Sequence, residues 1–178
     1  MILETVRIVA DWLGDPTFGV NTLRSAVPRD LGVSVPPSVS VLDSTRDARI
    51  ARGSIPTGVG LPAVLVSPND SPLESAVPTV RPWPPDATIS VLIRLAMSNI
   101  DTAAAERDAS QLMRAIWRSI GHLMTTDAGM TARTRASVQL ISVRNLQAAT
   151  LYEADQDTVV TGGVLATCHV RDTWAQQT

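Results

Sequence analysis

Cys168 and His169 are adjacent near the end of the chain, and a thiol beside an imidazole is the pairing used in cysteine nucleophilic catalysis. Their surroundings alternate like a strand, and neighbouring side chains in a strand point to opposite faces. The pair cannot share a proton there, so Cys168 reads as a small buried apolar residue. His122 falls near the C-terminal end of a predicted helix, where positive charge is favourable; a dyad with Cys168 stays open at this level. Two His and one Cys without paired spacing match neither a zinc site nor a metalloprotease helix. Glu153, Asp155 and Asp157 crowd one short stretch that can be read as a hard-cation site or as a turn of solvated charges. Gly162-Gly163 precedes no helix, which excludes a phosphate loop and suggests a bulge or a close backbone approach. No G-x-S-x-G elbow is present. The expectation is a protein with no catalytic, metal or cofactor-binding residues, and not an enzyme.

A second group of residues suits contact rather than reaction. In RDARIARG, Arg46, Arg49 and Arg52 recur at every third position. They form either a solvated loop or an arm that orders on an acidic neighbour. Trp83, inside RPWPP, can fasten the proline-rich segment to its own domain or anchor a neighbouring subunit. These four are the candidate interface residues.

The elements that must position them follow from periodicity. Val6, Val9 and Leu13 space a first helix over Leu3 to Leu13, ended by Gly14. Val20, Leu23 and Val27 suggest a second, brief one. Residues 33–41 alternate, with Val33, Val35, Val39 and Val41 on one face. Pro36-Pro37 confines that strand to an edge or a bulge. Leu61–Val66 reads as a short strand. The clearest strand is Ala87–Met97, broken in its alternation only by Leu92 and Ala96. A long helix over Thr102–Met124 has the apolar stripe Ala105, Ala109, Leu112, Met113, Ile116, Trp117, Ile120 and Leu123. Its wet face is Glu106, Ser110, Arg114 and Arg118. Ser137–Arg144 and Val159–Val170 close the sheet, with Tyr152–Asp157 as an exposed acidic tip. The fold class is α+β: a mixed or mainly antiparallel sheet with an N-terminal helix and one long helix packed on one face. Residues 43–60 and 67–85 are long Pro/Gly-rich connections, expected to project as arms from a single domain spanning 1–178.

Composition supports a packed domain of 178 residues, 44% hydrophobic but only 3% aromatic. All 15 basic residues are Arg, against 17 acids, for a net charge of -2. That balance excludes a non-specific nucleic-acid binder, which needs a basic excess. One cysteine fits a reducing compartment. The opening residues do not read as a signal peptide, and no run of about 18 apolar residues suggests a membrane span.

With ILETVRIVADWL, GVNTLRSAVP, ATISVLIRLAMS, AAERDASQLMRAIWRSI and GGVLATCHVRDTW in this order, the chain resembles the tail terminator proteins of long-tailed bacteriophages. These are also called minor tail or tail completion proteins. The resemblance covers nearly the whole chain, although its proline-rich arms exceed a minimal member. It implies a structural virion protein, assembled in the host cytoplasm, whose hexameric ring caps the tail tube and offers the head-attachment surface. Its partners would be copies of itself, the tail tube protein and head–tail connector proteins, with DNA passing through the lumen unbound. Glu153, Asp155 and Asp157 would face that lumen, and Arg46, Arg49 and Arg52 would meet the tube or connector. Alternatives are another neck component, such as a connector or head-closure subunit, or a small enzyme or ligand-binding domain with a pocket of convergent polar groups.

Overall fold

With so few aromatic rings, the core must be built from aliphatic side chains held close together. The computed structural model describes residues 2–26, 32, 34–51, 55–56, 58–69, 86–99, 102–135, 137–154 and 157–171. In chain order the elements are α1 (Ile2–Leu13), α2 (Val20–Leu23), β1 (Ser40–Asp43), α3 (Ala48–Ala51), β2 (Ala63–Pro68), β3 (Asp86–Asn99), α4 (Thr102–Thr125), α5 (Asp127–Arg135), β4 (Val138–Ala154) and β5 (Asp157–Arg171). The strands form one mixed sheet in the order β1-β2-β3-β5-β4. Only β1 and β2 run parallel; the other pairs are antiparallel.

The two strongest periodicities meet face to face. Ile89, Val91, Ile93, Leu95 and Met97 of β3 are buried, as are Val164, Ala166, Cys168 and Val170 of β5. The buried stripe of α4 packs over this surface, running through Ala105, Ala109, Leu112, Ile116, Ile120 and Leu123. Trp117 departs from the expected stripe: it is 39% exposed, because it lies beyond the flank on which half-buried Met113 covers Gly162. A Cβ on Gly162 would sit 3.3 Å from Met113 Sδ, so the expected close approach at the glycine pair is made by a side chain. α1 buries Val6, Val9 and Leu13 in the same core. Trp12 joins it to α4 by donating its indole N–H to the Ser119 carbonyl at 2.8 Å. Phe18 stacks on Trp12 with centroids 5.2 Å apart.

Four expectations change. Residues 34–39 are not strand: Val35 is exposed, Pro36 is buried, and the backbone of Val39 is held by Asn21. Ala96 breaks the alternation of β3 because the second sheet face is partly covered too, burying it beside Ile50 and Leu65, whereas Leu92 is half-buried on that face. β4 runs on to Ala154, paired with β5 through two register shifts, between Val138 and Leu140 and between Leu146 and Thr150. α5 has no apolar stripe in the sequence. Its signals are Thr126, whose hydroxyl accepts the Gly129 N–H at 3.1 Å, and arginines in its last turn.

α5 closes the end of the long helix. Arg133 donates from Nε to the Leu123 carbonyl at 3.0 Å and from an Nη to the Met124 carbonyl at 3.2 Å, satisfying acceptors that a helix end leaves open. Gly129 makes this corner possible, since a Cβ there would run into the His122 and Leu123 carbonyl oxygens. Gly129→Ala is therefore expected to lower the unfolding free energy by about 1–3 kcal/mol, the usual cost of overpacking. A reduced urea midpoint is the measurement; an unchanged midpoint would show that the corner yields to a methyl group without strain.

Candidate interaction surfaces

The chemistry-bearing residues are held apart. Cys168 is fully buried toward the helices, whereas His169 is exposed on the opposite sheet face, its Nδ1 3.3 Å from Thr88 Oγ1. Burial pushes the Cys168 thiol from its ordinary 9.0 up to about 12, because the interior disfavours the thiolate. His122 packs its ring against Phe18 at 5.6 Å. Among the described residues no group of three or more His, Cys, Asp or Glu side chains could hold a metal ion.

Residues 43–51 are not a projecting arm. They form a strap across the second face of the sheet, where Ile50 is buried with Leu65 and Ala96 and flanked by Leu42 and Ile55. Arg94, rising from β3, donates to the Ile50 carbonyl at 2.8 Å. The strap turns on Asp43, whose buried Oδ1 accepts the Thr45 N–H at 2.7 Å, the Thr45 hydroxyl, and the Arg46 N–H at 3.1 Å.

Two of the three expected arm arginines are already matched within the chain. Arg46 spans Asp11 at 3.0 Å and Asp43 at 3.4 Å. Arg49 clasps Asp47 at 2.6 Å, and its side-chain hydrogen bond holds the Asp47 carboxyl below its ordinary range. With Asp11, Asp43 and Asp47 against two guanidiniums, this corner is not a basic surface. An open cleft of about 210 Å³ lies beside it, lined by Ala10, Asp11, Gly14, Val41, Asp43 and Arg46.

Arg52, Trp83 and Asp155 lie outside the described residues. Ser67 and Pro68 belong to β2, and Asn69 donates to the Ser90 carbonyl at 2.8 Å. The expected second arm is thereby shortened, and 70–85 lies outside the described residues. Glu153 and Asp157 sit on the last rungs of the β4–β5 ladder, opposite Thr158 and Ala154.

Three surfaces stand out in their place, none of them visible as a motif. The outer margin of β1 is guarded. In its parallel ladder Ser40 and Ser44 donate inward to Pro62 and Val66, so Val39, Val41 and Asp43 face out. The Asn21 carboxamide occupies both backbone groups of Val39, donating to its carbonyl at 2.9 Å and accepting its N–H at 2.8 Å. The Asp43 carbonyl accepts from Arg46 and Asp47. The outer margin of β4 differs: a 17-residue strand with no proline, paired among the described residues only with β5. The third surface is the outward face of α4, where Trp117 lies beside Gly121 and a Cβ on Gly121 would meet nothing within 4 Å. No known protein-family model matches the chain, and no curated protein matches it.

Two outcomes follow. With the folded thiol ionising near 12 and the unfolded one near 9.0, the unfolded state releases its proton first as pH rises. This contribution to stability is complete below pH 9 and is lost between about 9 and 12. A thiol reagent at pH 8 should leave the folded protein untouched and label Cys168 once guanidinium unfolds it; rapid labelling of the native protein would contradict its placement. Gly121→Ala should raise stability by about 0.4–1 kcal/mol, since glycine is a poor helix former and the site is open. A urea titration showing destabilisation would reveal a packing role that the monomer lacks.

Proposed function

We propose that the chain is a structural subunit of a phage tail, closing the end of the tail tube within a ring of six copies and presenting the surface to which the head attaches. The observation that carries this reading is the unequal treatment of the two sheet margins. Long bare edges invite pairing with other chains, and self-contained proteins blunt them. Here β1 is four residues long and latched by Asn21, while β4 runs for 17 residues, interrupted by two register shifts but capped by no side chain among its described residues. A subunit with one guarded and one open margin suits head-to-tail assembly, in which unlike surfaces meet.

The element order supports the same reading. An N-terminal helix, a short second helix, a strand leading into the long helix and a closing hairpin follow the succession that carried the resemblance. The net charge of -2 lets DNA traverse a lumen without the counterion release that would hold it. The role calls for no reaction step, in keeping with a thiol and imidazoles set in separate surroundings.

Negative-stain imaging and sedimentation of the purified chain, alone and with tube protein, test the proposal. The expected result is a ring with a central opening, sedimenting as six copies. A monomer that stays monomeric in the presence of both tube and connector proteins would end it.

A further inference from the structure

We infer that residues 45–51 are a hinged cover, which turns on Asp43 and lifts off the second sheet face while the rest of the domain stays folded. The hinge stands whether or not copies of the chain assemble.

The cover has its own small core. Ile50, Leu65 and Ala96 pack together with half-buried Leu42 and Ile55. This cluster is separate from the one that α1, α4 and the other sheet face share. Within Thr45–Ile50, Ile50 alone is buried, while Arg46, Ala48 and Arg49 are exposed. When the cover withdraws, it therefore gives up the buried contacts of a single side chain. Segments with so few apolar contacts open at free energies below that of global unfolding.

Hydrogen bonds divide the strap into a fixed end and a lightly held one. At the fixed end Ser44 donates its N–H to the Val66 carbonyl at 2.9 Å. The Asp43 carboxylate then gathers the Thr45 and Arg46 N–H groups at 2.7 and 3.1 Å. Beyond that turn the backbone bonds are local: the Asp47 N–H donates to the Asp43 carbonyl, and the Ile50 N–H to the Asp47 carbonyl. α3 has four residues, far below the length at which a helix sustains itself. Among the described residues, its hold on the sheet is the Ile50 side chain and the bond from Arg94 to the Ile50 carbonyl at 2.8 Å. Both act at one residue.

Charge adds little to that hold. Arg49 pairs with Asp47, inside the strap, so the pair travels with it. Arg46 does reach the body, at Asp11 and Asp43. Its side chain is 70% exposed and that of Asp11 54%, and water screens such pairs. Opening turns Leu65 and Ala96 to solvent beside half-buried Leu92.

Thiol labelling of the full chain carrying Ala96→Cys tests the inference, because Cys168 in the main core reports global unfolding in the same molecule. In native buffer the introduced thiol should react at least about tenfold faster than Cys168, as a separate local opening requires. Ile50→Ala should speed the introduced thiol by about tenfold or more, the effect of losing a buried aliphatic side chain. Arg46→Ala should speed it by about two- to fivefold. Ile116→Val, in the main core, should speed Cys168 by about two- to tenfold and leave the introduced thiol as it was. Equal rates at the two thiols, or an introduced thiol that follows Ile116→Val or ignores Ile50→Ala, overturns the hinge. Amide exchange in the unaltered chain guards against loosening by Ala96→Cys itself. There the Ile50 N–H should exchange with a weaker dependence on urea than the Ile116 N–H, since less surface is exposed; equal dependence would also overturn the hinge.

Discussion

The contact between α4 and the aliphatic face of β3 and β5 carries this molecule. The chain has only four Trp, one Tyr and one Phe, and the buried side chains described between this helix and the sheet are aliphatic or small. The layers must approach closely instead. Ala105, Ala109 and Ala115 on the helix are buried, as are Val164 and Ala166 on β5, and small side chains permit that approach at interior packing density. The remaining elements fasten onto this pair: α1 through Trp12 and Ser119, and α5 through Arg133 at the helix end. The margin of β4 not paired among the described residues lies at the rim of the same sheet.

How much of this could be read from residues alone varies with the force shaping each element. β3 and α4 were legible because each expresses one strong period, two in the strand and 3.6 in the helix, set by one-sided burial. The breaks at Leu92 and Ala96 were legible as breaks, but their cause was not. A covering strap held by a single apolar residue, Ile50, leaves no periodic trace. Asn145 to Tyr152 is strand because β5 lies beside it, not because its own pattern demands it. At Val39 a remote side chain outbids the ladder for the backbone, and no local propensity encodes that.

The site residues divide in a similar way. Cys168 and His169 were separable on paper, since strand geometry alone turns them apart. For Arg46 and Arg49, spacing every third residue shows where charges lie, but not that each is paired with an aspartate of its own chain. Asp11 is 35 positions from Arg46 and bonded to it, a pairing made by the fold. Trp117 fits the helical spacing of the stripe yet is 39% exposed, because spacing does not mark where a buried face ends. The empty surround of Gly121 is a property of the folded surface and leaves no trace in spacing.

The Asn21 latch has a consequence for how the molecule behaves in bulk. One carboxamide matches the hydrogen-bonding pattern of a strand residue and so terminates the sheet chemically as well as spatially. It leaves the sheet with one margin capped by a side chain and one that is not paired among the described residues. Conversion of that amide to a carboxylate, the common ageing reaction of asparagine, would remove the donor to the Val39 carbonyl and set a charged oxygen against it. Both margins of the sheet would then present unmatched strand backbone, the condition under which edge-to-edge growth into fibres becomes open to a protein.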